Sequence, residues 1–148
     1  MMIDRELAPV IIFGFNRRTK LERTVSSLLN NPEAIDTDIY IYIDGARGEF
    51  EEREVESVRA YAQSLKNIPG FKSVTIKASG YNKGLANSII GGVSDIMNRH
   101  GRAIVLEDDL RVLPNFLAFM NSGLDKYEQD KRIYSICGYT NKVRKPDG

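Results

Sequence analysis

Val10-Ile11-Ile12-Phe13-Gly14-Phe15 is a continuous apolar run rich in β-branched residues, the pattern of a strand covered on both faces. A half-exposed strand would alternate polar and apolar residues, so this one belongs inside a sheet with helices on either side. Outward from it, strands and helices alternate. Thr19 and Glu22, three apart, make a capping-box signature ahead of Leu21, Val25, Leu28 and Leu29 at helical spacing, and Asn30-Asn31-Pro32 ends that helix. A second strand is expected over 38–43, closing in Asp44-Gly45. Val55, Val58, Tyr61, Ala62 and Leu65 mark the apolar face of a charged helix ended by Ile68-Pro69-Gly70. Residues 72–78 read as a third strand with Val74 and Ile76 on one face, and 80–84 as a loop. A helix starts at Leu85, is marked by the apolar set Ile89, Val93, Ile96 and Met97, and ends at His100-Gly101, where the histidine complements the dipole. Gly91 and Gly92 inside it each cost about 1 kcal/mol relative to Ala, which points to close backbone packing there. Ala103-Ile104-Val105-Leu106 is the fourth strand. Pro114 is expected as a first helical residue before Phe116, Leu117, Met120 and Leu124, and 133–139 as a last short strand. The alternation argues for an α/β fold, a three-layer α/β/α sandwich whose mostly parallel sheet is joined by right-handed crossovers.

Composition narrows the classes of partner. The 148 residues, 42% hydrophobic and 28% charged, suit one globular domain, uninterrupted by repeats or linkers. With 21 basic and 20 acidic residues the net charge is +1, so no global field points to nucleic acid or an acidic membrane. No run approaches the ~18 apolar residues of a membrane span. Cys137 is the single cysteine; it cannot form an internal disulfide, reads as a small core residue and favours a reducing, cytoplasmic setting. Neither Gly-x-x-x-x-Gly-Lys-Thr/Ser nor Gly-x-Gly-x-x-Gly occurs, which removes the common nucleotide hydrolase and dinucleotide folds.

Ligands of open α/β sheets bind outside the carboxyl ends of the strands, and polar clusters stand at those ends here. They are Asn16-Arg17-Arg18, Asp44-Gly45, the 80–84 loop and Glu107-Asp108-Asp109. Three consecutive carboxylates after a buried strand repel one another unless something cationic sits among them; Mg²⁺ or Mn²⁺, hard ions that share oxygen ligands with phosphate, would serve. The alternative is a solvated acidic loop that favours the following helix dipole. Arg17 and Arg18 either reach a diphosphate, whose oxygens an arginine fork matches, or are solvated arginines of a first helical turn. Asp44 is either a hydrogen-bond acceptor for a base or ribose, or a turn-forming aspartate. Lys83 is either a phosphate counter-charge or a solvated loop lysine.

In combination these residues resemble the nucleotide-sugar-binding half of the GT-A glycosyltransferases. Residues 8–17, followed by a leucine-rich helix, are similar to the opening of the family 2 transferases and of the Golgi N-acetylglucosaminyltransferase I type, and contain Phe15, Asn16 and Arg17. Asn82-Lys83-Gly84-Leu85-Ala86-Asn87 is similar to their Asn-x-Gly-x-Ala-x-Asn region, with the second Asn one position early. Val105-Leu106-Glu107-Asp108-Asp109-Leu110, then Pro114, Phe116 and Phe119, resembles the Glu-Asp-Asp form of the Asp-x-Asp motif. Ile133 to Asn141, with Tyr139, is similar to the next strand and loop, near the donor sugar. The resemblance implies a donor-binding domain over 1–148, the N-terminal part of a longer enzyme that moves a sugar from a nucleoside diphosphate, UDP-linked, to a glycan or other hydroxyl acceptor. It implies that Asp109 coordinates the Mn²⁺ or Mg²⁺ bridging the diphosphate, that Glu107 and Asp108 support the ribose or metal-bound water, that Asp44 faces the base, and that Arg17 faces the nucleotide or phosphates. An inverting enzyme also needs a general base, and none is identified in this chain. Two rivals remain. A sugar-phosphate nucleotidyltransferase would carry a glycine-rich basic loop after the first strand, where Gly14-Phe15-Asn16-Arg17-Arg18 is poor in glycine; a non-catalytic binding or interaction module would keep the sheet without the chemistry.

Overall fold

The computed structural model describes residues 6–139. Its elements are β1 (Val10–Gly14), α1 (Arg18–Leu29), β2 (Asp38–Ile43), α2 (Glu49–Ser64), β3 (Ser73–Ala78), α3 (Leu85–His100), β4 (Ile104–Glu107) and α4 (Phe116–Tyr127), with short 3-10 turns at Pro32–Asp36 and Leu65–Asn67. The strands form one sheet in the order β3-β2-β1-β4, every pair parallel. β1 is buried along its whole length, as a continuous apolar run requires of a central strand.

Side-chain alternation sorts the sheet into two faces. Val10 and Ile12 of β1, Ile39, Ile41 and Ile43 of β2, and Ile104 and Leu106 of β4 share one core with Leu21, Val25 and Leu28 of α1, Val55, Val58 and Ala62 of α2, and Leu117 of α4. Ile11, Phe13 and Tyr40 point the other way and pack on Ile96 of α3, flanked by Ile89 and Val93. Each fully buried Val, Leu or Ile contributes about 1.5–3 kcal/mol, so both faces of the strand register are strongly specified. The result is the expected three-layer α/β/α arrangement, with an all-parallel sheet among the described residues.

The helix faces follow from the handedness of the crossovers. The chain winds one way from β1 to β2 to β3, then returns through α3 on the opposite face to place β4 on the far side of β1. The crevice beside β1, where the winding direction reverses, is a topological switch point. α3 approaches the sheet closely at Gly92, where an added Cβ would lie 2.7 Å from the Phe13 ring and 3.2 Å from Tyr42. Gly91 faces open space, so the close packing expected of the pair belongs to one of them.

Four local expectations fail, each for a visible reason. Thr19 is not an N-cap: α1 already begins at Arg18, with Arg17 at its cap and no side-chain cap bond, and Glu22 pairs with Arg18. α4 starts at Phe116, two residues after Pro114, which lies in the preceding turn. Residues 133–139 form no strand; the segment follows α4 instead, with Ile136 against Gly123 and Gly138 against Phe116 and Met120. Tyr134 is left 97% exposed. Cys137, carried on that segment, is exposed rather than a core residue.

Candidate functional site

A cleft of about 280 Å³ opens at the carboxyl ends of β1, β2 and β4, at the switch point. Phe15, Arg17, Asp44, Asn82, Glu107 and Asp108 line it, so the parallel register and the loop after β3 gather six residues flagged from sequence. Phe13 is level with Glu107 and Gly14 with Ile43, which puts the three strand ends at one height.

Asp108 is 3% exposed and its carboxylate accepts a 2.5 Å bond from Arg17 Nη2; Arg17 Nη1 also reaches Asp109 at 3.2 Å. Burial pushes the Asp108 carboxyl above the usual carboxylate range, opposed by the Arg17 guanidinium. Part of the cation that three adjacent carboxylates call for is therefore supplied by the protein. The backbone that carries them is fixed from α1. Thr24 Oγ1 donates to the Asp108 carbonyl at 2.8 Å, Ser27 Oγ accepts from Val112 N–H at 3.1 Å, and Asn31 Oδ1 accepts from Leu117 N–H at 2.9 Å. Thr24 and Ser27 lie on one side of α1 and Asn31 just past its end, and together they pin residues 108–117 along that helix.

Asp44 is 8% exposed, and protein donors fill both its oxygens. Gly45 N–H and Lys83 N–H reach Oδ1 at 2.9 and 2.8 Å; Gly84 N–H and Asn82 Nδ2 reach Oδ2 at 2.9 and 3.2 Å. The aspartate thus clamps the 82–84 loop over the end of β2. Gly45 admits the loop, since a Cβ there would meet the Tyr81 backbone at 2.4 Å. Lys83 turns its side chain out toward the Tyr81 ring, 5.7 Å away, and lines a neighbouring hollow with Tyr42, Lys77 and Asp95. Asn16 lies beside the cleft, with Nδ2 donating to Glu51 at 3.3 Å. Asp109 stands at the rim, its side chain 35% exposed. Tyr139 is 75% exposed and does not line the cleft, and Asn141 lies outside the described residues.

Two site residues escaped the sequence reading. Arg47 lines the cleft with its guanidinium 5.5 Å above the Phe15 ring, and the buried Glu51 grips it from the first turn of α2. Arg47 follows Asp44-Gly45 at the end of a strand, and that rim position was the available signal. Glu51 is one of three acidic residues in the first turn of α2, the usual complement to a helix dipole, and nothing local distinguishes it.

Among the described residues no three His, Cys, Asp or Glu side chains converge to hold an ion. A divalent ion bound through one or two carboxylates, water and ligand phosphates needs no such cage, and Asp109 at the rim with Glu107 in the cleft fits that donor set. Among the described residues, no helix is long and apolar enough to cross a membrane.

The chain is 24% identical over 144 residues to an Arabidopsis thaliana alpha-1,3-mannosyl-glycoprotein 2-beta-N-acetylglucosaminyltransferase, covering 94% of this chain and 32% of that protein. Its fold is similar to the crystal structure of S. aureus TarS 1-349, with a TM-score of 0.55 and 10% identity over 82% of this chain and 33% of that one. The chain thus spans about a third of the length of the relatives it matches. The GNT-I family model matches residues 2–146, nearly the whole sequence, and the chain belongs to the GNT-I family.

Proposed function

We propose that this chain binds the nucleoside diphosphate of a sugar donor, UDP-linked, and serves as the donor-binding part of a glycosyltransferase. The observation that carries the reading is the cleft at the switch point, where two arginines and three carboxylates meet over a stiffened loop. Membership in the GNT-I family supports it. In this reading Asp109 holds Mn²⁺ or Mg²⁺ together with the diphosphate, and Glu107 orients ribose or ion-bound water. When bound, the ion stabilises charge on the departing nucleoside diphosphate. Arg17 keeps Asp108 and Asp109 in place, while Asp44 sets the height of the 82–84 loop against which the base lies. Deprotonation of the acceptor hydroxyl, on a glycan or another alcohol, is left to residues outside the cleft.

Calorimetric titration of the chain with UDP tests this. Binding is expected with Mn²⁺ and is expected to fall at least tenfold with chelator or in Asp109→Ala. Because Asp109 and Glu107 are too few to retain an ion alone, Mn²⁺ without UDP is expected to bind weakly. Equal UDP affinity with and without metal removes the ion-bridged reading.

A further inference from the structure

Arg47 enters the cleft on a different footing from Arg17. Arg17 commits both terminal nitrogens to Asp108 and Asp109. Arg47 instead turns Nε and Nη2 to Glu51, which leaves Nη1 without a hydrogen-bond partner among the described residues. Glu51 is itself immobilised: it is 5% exposed, Oε1 accepts from Asn16, and Oε2 accepts the Arg47 backbone N–H at 3.0 Å. The guanidinium carbon lies over the Phe15 ring, 5.5 Å from its centroid, a cation–π contact that holds it near the end of β1. An ordinary i,i+4 surface pair needs neither a buried acceptor nor an aromatic shelf, and contributes little. We propose that Arg47 is a ligand-contacting residue, whose free Nη1 edge takes a phosphate oxygen of the nucleoside diphosphate. This rests on the donor-binding reading above. Asp44, Glu107 and Asp108 line the same cleft, so a phosphate entering it needs a cationic N–H not already donated to a carboxylate, and the Nη1 edge of Arg47 supplies one. The grip of Glu51 fixes the fork before binding, which lowers the ordering cost of the contact.

The test compares UDP with uridine on the 148-residue chain in Mg²⁺, by calorimetry for UDP and saturation-transfer NMR for uridine. Arg47→Gln is expected to weaken UDP by ~10- to 100-fold and to change uridine by less than about twofold. Arg47→Lys, which keeps the charge but not the fork, should fall between the wild type and Arg47→Gln and guards against a folding defect in that variant. Glu51→Gln should weaken UDP less than Arg47→Gln, with uridine unmoved. Equal losses for UDP and uridine overturn the phosphate assignment and leave a structural role. Wild-type UDP affinity in Arg47→Gln overturns the inference while the donor-binding reading stands. A wild-type chain that binds no UDP removes that reading and this inference with it.

Discussion

Arg17 shows how a residue's task differs from its apparent type. In sequence it is a free phosphate-binding cation, and Asp108 a metal-site carboxylate; across β1 and β4 they hold each other. That pairing depends on which strands are neighbours, and nothing within ten residues of either side chain encodes it. Removing one partner of a fully buried pair costs roughly 3–5 kcal/mol. Since nearly half of the Arg17 side chain faces solvent, Arg17→Met is expected to cost about 2 kcal/mol by urea denaturation at pH 7. The loss should shrink near pH 4. Burial raises the folded-state Asp108 carboxyl, removal of Arg17 raises it further, and the folded variant then binds a proton that its unfolded chain releases as pH climbs above about 3.9. Asp44 likewise changes meaning: Asp44→Ala orphans the Lys83 and Gly84 amides, and faster hydrogen exchange at both checks it.

At the scale of elements, periodicity carried most of the fold. The strands and helices follow from runs and spacings that survive burial on both sheet faces, because there the hydrophobic pattern and the packing make the same demand. Residues 133–139 defeat that logic. Their strand-like composition finds no ladder, and α4 offers Ile136 and Gly138 a surface instead. The glycine pair in α3 was legible as close packing, but only three dimensions separate its members. Gly92→Ala, forced against Phe13 and Tyr42, is expected to lower stability by about 1–3 kcal/mol, whereas Gly91→Ala, in open space, should raise it by up to about 1 kcal/mol. Thermal or urea unfolding reads both. β2 and α3 are also joined by Tyr42 Oη donating to Asp95 at 2.5 Å. Burial, then that bond, pushes the Tyr42 phenol up to about 12. The folded chain keeps this proton between pH ~10 and ~12 while the unfolded chain gives it up, so stability is complete below about pH 10 and declines above it. Tyr42→Phe should flatten that alkaline decline, followed by denaturation across pH 9–12.

At the scale of the molecule, the doubly wound path places the cleft before any side chain is considered. Reversal of direction at β1 leaves a crevice between the exits of β1 and β4, and the polar strand ends occupy it. This much the order of elements implied. The Arg47–Glu51–Phe15 assembly was not legible, since it joins a loop, a helix turn and a strand end whose proximity only the folded sheet establishes. The central claim is that a nucleoside diphosphate and its ion sit in this cleft. Paramagnetic line broadening tests it most directly, with traces of Mn²⁺ added to the ¹⁵N-labelled chain in the presence of UDP. The account predicts selective loss of the amide signals of Phe15, Asn16, Asp108 and Asp109, dependent on UDP and abolished in Asp109→Ala. Broadening centred on the neighbouring hollow at Lys77 and Lys83, or none that depends on UDP, would contradict it.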